Sequence, residues 1–171
     1  MNMGEAQEAV GQFERLLADQ VRVLGADHPR TLDTRNNLAY WLNEAGRVQE
    51  AVGQFERVLA DRVRVLGAGH PDTLDARGTL ASCLGEAGRV QEAAGQFERL
   101  LADQVRVQGP DHPAVLLTRG TLAGWLGVAG RAEEAAGQYE RLLADQVRVL
   151  GPDHPATLTT RGNLDYWAGR S

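Results

Sequence analysis

Four histidines spaced 42 residues apart are the side chains of this sequence that most directly suggest metal binding or acid-base chemistry. Each precedes a proline, and the four pairs are His28-Pro29, His70-Pro71, His112-Pro113 and His154-Pro155. Ligands lie about 2 Å from a zinc ion, whereas packed helices lie at least about 8 Å apart, so one histidine per repeat cannot build a single site. We therefore predict that each histidine closes the loop before a helix, together with its neighbour Asp27, Asp111 or Asp153.

Nucleophiles for catalysis are few in this chain. Cys83 is the one cysteine, the serines are Ser82 and Ser171, and all 18 basic residues are arginine. Without lysine there is no phosphate-binding Walker loop, Schiff base or lysine general base, and a lone cysteine leaves no internal disulfide. Adjacency implies no Ser-His-acid or Cys-His set, so we predict a protein that is not an enzyme and that needs no cofactor or metal.

The elements that carry these residues are repeated along the chain. The 171 residues equal three plus four times 42, and glycines at turn positions keep the same step: Gly4, Gly46, Gly88 and Gly130. We therefore predict one domain, 1–171, built from four periods: 4–45, 46–87, 88–129 and 130–171. A period of about 20 to 50 residues indicates a stacked array rather than a globular domain with one central active site.

Each period contains two amphipathic helices, which we call A and B. The A helix starts at the proline of a His-Pro pair, where the missing N–H costs nothing, and it ends at a glycine such as Gly46. The longer B helix has apolar residues three and four apart, as between Val48 and Leu66. The predicted B helices are 5–24, 47–66, 89–108 and 131–150, and the predicted A helices are 29–45, 71–87, 113–129 and 155–168. No segment alternates like a strand, so we predict an all-α fold, an α-solenoid of eight helices in antiparallel hairpins.

The composition excludes several classes of protein. Hydrophobic residues make up 43 % and charged residues 24 % of the chain, which is typical of a folded protein and too apolar for disorder. The sequence shows no membrane-length apolar run and no signal peptide, so we expect a cytoplasmic protein that does not bind membranes. The net charge of −5 disfavours binding to nucleic acid.

The spacing of residues in the A and B helices resembles the tetratricopeptide repeat. Its pattern is present as Leu38-Ala39-x-x-Leu42 in an A helix, followed by Gly46 and by Ala51-x-x-x-Phe55 in the next B helix. The matching residues of the other periods are Leu80-Ala81 with Ala93 and Phe97, and Leu122-Ala123 with Ala135 and Tyr139. Arginine stands where the family has an aromatic residue, at Arg35, Arg77, Arg119 and Arg161.

A period of 42 residues, instead of the usual length of about 34, makes the chain similar to the subclass found in kinesin light chains and in many actinobacterial proteins. The segments Leu24–Pro29 and Thr34–Ala39 add to this resemblance, which covers essentially the whole chain. It implies a scaffold for protein–protein interaction, in which the A helices line a concave groove for peptides and paired asparagines contact the peptide backbone. The pair is kept at Asn36 and Asn37, whereas only Asn163 is kept in the last period.

Comparison of the four periods separates scaffold from candidate surface. Glu8–Pro29 differs from Glu50–Pro71 at three of 22 positions, whereas the A helices vary at positions expected to face the groove. We call the residues that stand at the same position in different periods a column. Together with the asparagine columns, these positions give the predicted groove for a peptide or protein partner: Asn36, Asn37, Tyr40, Asn43, Thr79, Ser82, Thr121, Gly124, Asn163 and Tyr166. Glycines such as Gly120, Gly124 and Gly127 would form a floor that a partner segment covers, and drift between repeats is the alternative explanation.

Two further columns have both a structural and a functional interpretation. One column contains candidates for contact with an acidic partner: Arg35, Arg77, Arg119 and Arg161. The structural interpretation pairs each of them with a carboxylate of a nearby helix, for which the candidates are Glu14, Glu56, Glu98 and Glu140. The other column lies on the apolar face of the A helices and is expected to pack in the core: Trp41, Cys83, Trp125 and Trp167.

The two ends of the array suggest an alternative function. The first helix is a B helix and the last is an A helix, so we expect exposed apolar faces at Phe13 and Leu17 and at Leu164 and Trp167. These faces are complementary, which predicts a structural module that forms a homo-oligomer by end-to-end stacking or by helix exchange. Asp165 opposes stacking, because it stands at the closest helix contact, where the other periods have alanine.

Overall fold

A computed structural model of the chain describes residues 3–170, and these residues form eight α-helices without a strand. The helices are α1 (Met3–Leu24), α2 (Pro29–Glu44), α3 (Val48–Leu66), α4 (Pro71–Glu86), α5 (Val90–Gln108), α6 (Pro113–Val128), α7 (Ala132–Leu150) and α8 (Pro155–Ala168). The odd-numbered helices are the B helices and the even-numbered ones are the A helices. The predicted all-α fold of helix hairpins is confirmed, with each boundary within about two residues of its expected place. None of the described helices is long and apolar enough to cross a membrane.

The A helices begin at histidine caps. In α2, the Nδ1 atom of His28 accepts a hydrogen bond from the backbone N–H of Arg30 at 3.2 Å, and Pro29 occupies the first turn. His70, His112 and His154 cap α4, α6 and α8 in the same way, each at 3.2 Å. A side-chain acceptor at this position satisfies one of the free N–H groups of the first turn. The prediction that the histidines close the loop before an A helix is therefore confirmed.

Glycines with a positive φ follow the helices α1 to α7. Gly46 follows α2 with a φ of +75°, and the N–H of Arg47 donates to the carbonyl of Leu42 at 2.8 Å. Gly67 ends α3 with a φ of +89°, and its N–H donates to the carbonyl of Val63 at 3.0 Å. Side chains other than glycine rarely adopt this backbone conformation, which is why glycine recurs at these turns.

The chain divides into two compact units, Met1–Gly88 and Arg89–Ser171, which we call unit 1 and unit 2. In unit 1, α1 packs against α2, α2 against α3 and α3 against α4. The interior of unit 1 includes Leu32, Leu38, Phe55 and Val58, each at most 3 % exposed. Phe55 and Val58, three residues apart, lie on one face of α3, and the burial of all four side chains supplies hydrophobic stabilisation to this unit.

In unit 2, α6 packs against α5 and α7, and α8 packs against α7. Its core cluster consists of Leu116, Ala123, Tyr139 and Leu142. The partly buried side chains of Leu164 and Trp167 in α8 pack against this cluster. An apolar contact of this kind fixes the last A helix on the preceding hairpin.

Junction ion pairs join each unit's internal A helix to the B helix that follows it. In unit 1, Arg35 of α2 lies 2.5 Å from Asp61 of α3, Asp61 lies 3.1 Å from Arg64, and Arg64 also binds Asp27 in the loop before α2. The hydrogen bond from Arg64 keeps the pKa of Asp27 below its ordinary value. The loop, the A helix and the B helix are thus linked through four charges.

The corresponding residues of unit 2 form the same arrangement. Arg119 of α6 lies 2.6 Å from Asp145 of α7, and Arg148 lies 3.1 Å from Asp145 and 2.5 Å from Asp111. Hydrogen bonds from Arg119 and Arg148 lower the pKa of Asp145, and the bond from Arg148 lowers that of Asp111. Asp27 and Asp111 therefore pair with arginines of the next B helix, and the expectation that they act together with the neighbouring histidine is wrong for these two.

Candidate functional site

The A-helix face of unit 1 presents polar and aromatic side chains from α2 and α4. Tyr40 is 47 % exposed, Asn37, Thr79 and Ser82 are also exposed, and Asn36 is half-buried. These residues lie on the outer side of helices whose opposite side packs into the unit, because they alternate with buried positions at helical spacing. Of the residues predicted for the groove in unit 1, the exposed ones are thus Asn37, Tyr40, Thr79 and Ser82.

Asn43, also predicted for the groove, is held between α2 and α4. Its Nδ2 group donates to Glu86 Oε2 at 2.8 Å, and its Oδ1 atom accepts from the Cys83 thiol at 3.7 Å. A ligand that bound Asn43 would have to compete with these contacts. The side chain is therefore better suited to fix the two A helices than to read a partner.

The A-helix face of unit 2 contains Thr121, Gly124, Asn163 and Tyr166. Tyr166 is 49 % exposed, and its ring contacts Trp167 edge-on at 4.9 Å while the Arg170 guanidinium lies 4.1 Å from its centroid. Asn163 and Thr121 are half-buried. An aromatic ring with one exposed side and a cation beside it is a suitable platform for a partner side chain.

Tyr139 packs against Gly124 and binds the backbone of Gly120. The Tyr139 hydroxyl donates to the carbonyl of Gly120 at 3.1 Å, and a Cβ atom at Gly124 would lie 3.3 Å from that hydroxyl. Burial raises the pKa of Tyr139, although a hydrogen bond from Asn163 opposes this effect. The hydroxyl is thus held between α6 and α8 as a neutral donor.

The glycine floor of α6 is covered by side chains of unit 2 itself. A Cβ atom at Gly120 would lie 3.3 Å from Leu142, and one at Gly127 would overlap the indole ring of Trp167. The close approach that these glycines allow is therefore internal to the unit. The interpretation as an empty floor awaiting a partner is therefore wrong for Gly124 and Gly127, whereas Gly120 also lines the open cleft of unit 2 described below.

The arginine column is engaged within the chain at its internal positions. Arg35 and Arg119 are 13 % and 17 % exposed in their side chains and bind Asp61 and Asp145, as described above. The prediction of a carboxylate partner is confirmed for both, but the choice of glutamates is wrong, because Glu14 and Glu98 lie near Arg47 and Arg131 instead.

The other two arginines of the column, Arg77 and Arg161, lie in different environments. Arg77 is half-buried and also interacts with another group. Arg161 of α8 is exposed and makes no ion pair with any residue between 3 and 170. Contact with an acidic partner stays a prediction for this column, and Arg161 is the member best placed for it.

The tryptophan and cysteine column packs at the A helices as expected, though not equally deeply. Cys83 is 3 % exposed, and burial together with the charge of Glu86 raises its pKa to about 11. Trp41, Trp125 and Trp167 are half-buried. A thiol with such a pKa is protonated at neutral pH, which suits the core residue that the sequence predicts. Among the described residues there is no group of three or more His, Cys, Asp or Glu side chains that could hold a metal ion.

The outer faces of α1 and α8 are more exposed than the same positions elsewhere. Leu16 in α1 is 44 % exposed, whereas its equivalents Val58 and Leu142 are 0 % and 1 % exposed. Leu158 in α8 is 48 % exposed, whereas Leu116 is 3 % exposed. The predicted end-contact residues Phe13, Leu17, Leu164 and Trp167 are half-buried, so the exposure of the two ends is greatest at neighbouring leucines.

An open cleft of about 300 Å³ in unit 2 was not predicted from the sequence. It lies between α6, α7 and α8, and the buried side chain of Gln146 forms part of its wall. One feature of the sequence could have indicated this cleft: Arg62 stands in a column whose other members are Gln20, Gln104 and Gln146. A difference of this size and charge at an inward position indicates that the space beside it also differs.

Comparison with known proteins agrees with the geometry. A family model described as tetratricopeptide repeat matches residues 1–30, 31–72, 73–114 and 115–156. A search of the curated proteins found no significant match.

Solved structures give the same result. The nearly identical TPR-like repeats of a kinesin light chain-like protein from Podosopora anserina share 32 % identity with this chain and superpose with a TM-score of 0.87, covering 97 % of this chain and 79 % of that one. A variant of that protein with a single substitution gives 32 % identity and a TM-score of 0.86, with 97 % and 78 % covered. BtubC (BKLC) from P. vanneervenii, at 19 % identity and a TM-score of 0.68 over 98 % of this chain and 65 % of that one, shares the fold. Four matched repeats and a relative above 30 % identity lead to one conclusion: the chain belongs to the tetratricopeptide repeat family, in its kinesin light chain-like form.

Proposed function

We propose that this protein is a non-catalytic interaction module that binds a peptide or helix of a protein partner on the A-helix faces of its two units. The proposal rests on the positions at which the repeats differ from one another. The B helices Glu8–Leu24 and Glu50–Leu66 differ at two positions, whereas Tyr40, Ser82 and Tyr166 vary within one column and are exposed. Buried positions are constrained by packing, so variation at exposed positions of a rigid scaffold is typical of a surface that reads a partner.

The chemistry of the A-helix face of unit 1 fits the backbone of a peptide. Asn36 and Asn37 each offer an amide donor and an amide acceptor, and the exposed ring of Tyr40 follows one turn later. Side-chain amides can satisfy backbone N–H and C=O groups whatever the side chains of the partner, while an aromatic ring adds apolar contact area. The paired amides would supply affinity, and the variable residues would supply selectivity.

The double variant Asn36→Ala/Asn37→Ala is expected to bind a peptide selected by phage display on the wild-type chain about tenfold less tightly, because two amide hydrogen bonds are lost. Fluorescence anisotropy with the labelled peptide measures this change. The matched control is Arg57→Ala, an exposed position of the B helix α3, which should leave the dissociation constant unchanged. Equal affinity of the double variant and the wild type would contradict binding on this face.

A second candidate function is end-to-end self-association, and the exposed leucines of α1 and α8 favour it. Leu16 and Leu158 occupy columns whose internal members, Val58 and Leu116, are buried where an A helix meets the next B helix. A second copy that placed its α1 on α8 would cover both leucines in the same way. Exposed apolar positions with a complementary counterpart on the same molecule allow a heterologous contact that repeats from copy to copy.

The charges on α1 and α8 would also complete a set of junction ion pairs. In α8, Arg161 corresponds to Arg119, and Asp153 in the loop before it corresponds to Asp111. In α1, Asp19 and Arg22 lie 3.2 Å apart and correspond to Asp145 and Arg148. Two copies stacked through these helices would therefore bring together the four charges that unit 2 joins internally.

Asp165→Ala is expected to strengthen self-association, because the other A helices have a fully buried alanine, such as Ala123, at this position. Arg161→Asp is expected to weaken it about tenfold, and Asp19→Arg in the same chain should restore it by exchanging the charges. Sedimentation velocity over a wide range of protein concentration measures the association constant. A monomer at all concentrations for both the wild type and the Asp165→Ala variant would rule the second candidate out.

A further inference from the structure

The two A helices of each unit fit together by matching the sizes of two residues. In unit 2, the indole ring of Trp167 in α8 packs on Gly127 of α6, where an added Cβ atom would overlap that ring. In unit 1, the residues of the same two columns are Cys83 of α4 and Asn43 of α2, and the Cys83 thiol donates to Asn43 Oδ1 at 3.7 Å. A tryptophan thus meets a glycine, whereas a cysteine meets an asparagine, as expected where the space between packed helices is limited.

One residue of each of these columns has no such partner within residues 3–170. Gly169 follows α8, the last A helix, and apart from its chain neighbours no side chain lies within 4 Å of the place where its Cβ atom would stand. Trp41 lies in α2, and the described residues before α2 contain no A helix. The two residues that are left over are a tryptophan and a glycine, which is the combination that unit 2 packs together.

A second copy of the chain offers both missing partners in one arrangement. If its α1 and α2 lie on α8 as α7 and α8 lie on α6, its Trp41 comes to Gly169. The same arrangement brings its Leu16 to Leu158, and the equivalents of these leucines share the core cluster of unit 2. It also joins the charges of α1 and α8 described above, so apolar contact, charge and residue size agree on one occupant.

We propose that a second copy of this chain covers the α8 face and that its Trp41 packs on Gly169, as Trp167 packs on Gly127. This inference rests on the second candidate function, self-association, and adds to it the contact that sets the register of the two copies. Each contact joins α8 of one copy to α1 and α2 of the next, so a pair of copies keeps one face of each kind open. A larger residue at position 169 would exclude Trp41, which makes Gly169 the residue that selects the partner.

Gly169→Asn is expected to weaken self-association at least about tenfold, because the asparagine side chain takes the space that the indole ring needs. Sedimentation velocity measures the association constant, both in the wild-type chain and in the Asp165→Ala chain. The change fits its own chain, since the φ of Gly169 is −77° and the nearest atom to an added Cβ lies 3.5 Å away. The matched control is Gly95→Asn in α5, where an added Cβ meets open space, and it should leave association unchanged. Unchanged association of Gly169→Asn would overturn the proposal.

A compensating change tests whether residue size is the cause. Trp41→Cys combined with Gly169→Asn transfers the Cys83–Asn43 pair of unit 1 to the contact between copies, and this double variant should associate at least about tenfold more tightly than Gly169→Asn alone. A mixture of the two single variants should form mixed dimers, because the Trp41→Cys chain supplies α2 and the Gly169→Asn chain supplies α8. Circular dichroism verifies that each variant is folded. Equal association of Gly169→Asn and of the folded double variant would show that size matching does not govern the contact.

Failure of this inference and failure of the second candidate function give different results. If Arg161→Asp weakens association while Gly169→Asn does not, self-association holds and the contact of Trp41 with Gly169 falls. If the wild type and the Asp165→Ala variant are monomers at every concentration, self-association itself falls, and the contact falls with it.

Discussion

Replacing Leu142 with alanine is expected to lower the free energy of unfolding by about 2–5 kcal/mol, because the change removes most of a buried apolar side chain from the core cluster of unit 2. Leu142 is 1 % exposed and belongs to the cluster with Leu116, Ala123 and Tyr139. Its side chain also packs on Gly120, where an added Cβ atom would lie 3.3 Å from Leu142. Guanidinium denaturation followed by circular dichroism measures the loss.

The equivalent residue of α1 provides a matched control for this prediction. Leu16 occupies the same column and is 44 % exposed, so much of its side chain is already in water. Leu16→Ala removes the same atoms but leaves no enclosed cavity, and its cost should be well below that of Leu142→Ala. A similar loss for both variants would mean that burial, as described for α7, does not determine the stability of unit 2.

The substitution Ala123→Asp is expected to cost about 3–5 kcal/mol, because it places a carboxylate at a position without solvent or a charged partner. Ala123 is 0 % exposed and lies in the same cluster as Tyr139 and Leu142. Burial raises the pKa of an aspartate, so the folded state of this variant binds a proton more readily than the unfolded state. The loss of stability should therefore be largest at neutral pH and should decrease as the pH falls below the raised pKa.

Aspartate occurs once in the column of Ala123, and that residue provides the control for this prediction. Asp165 of α8 corresponds to Ala123 and is exposed. Asp165→Ala should change the free energy of unfolding by no more than about 0.5 kcal/mol, as for other exposed positions, when measured at a concentration where the chain is monomeric. If Ala123→Asp were tolerated as well as the native Asp165, the close packing of α6 on α7 would be disproved.

The helices and their ends could be predicted because their signals are local. Apolar residues three and four apart define one face of a helix, and His28-Pro29 and Gly46 mark the start and end of the first A helix. Such signals depend on neighbours in the chain, which the sequence shows directly. Fourfold repetition adds to this, since a boundary read in one period applies to the others.

The sequence predicts that the arginines form ion pairs between helices, but it does not identify the carboxylate of each pair. The sequence predicts a carboxylate of a B helix as the partner of Arg35, yet Arg35 reaches Asp61 rather than Glu14 or Glu56. Which carboxylate lies opposite an arginine depends on how far one helix is shifted along the other, and that shift is set by packing. The same reason explains Gly127, where the close neighbour is Trp167 of the same unit instead of a partner.

The cleft at Gln146 could not be predicted from the sequence, for a different reason. Its walls come from three helices, and three of the residues there, Leu117, Gln146 and Ala156, differ from their equivalents in unit 1. Each replacement is ordinary when taken alone. In unit 1, the equivalent of Gln146 is Arg62, which donates to the carbonyl of Asp72 at 3.0 Å and to Asp33 Oδ1 at 3.3 Å.

The junction ion pairs have a consequence for how such an array changes its length. The set that begins at Asp27 ends at Arg64, 37 positions later, so it is shorter than the period of 42 residues. A duplication of the period that starts at Asp27, or of the one that starts at Asp111, therefore copies one whole set of four charges. Such a duplication adds no unpaired arginine or aspartate at a half-buried junction, where an unpaired charge is costly. The period that starts at Gly69 differs, because glycine stands there in place of the first aspartate. Which period is duplicated thus decides whether the added junction is electrostatically balanced.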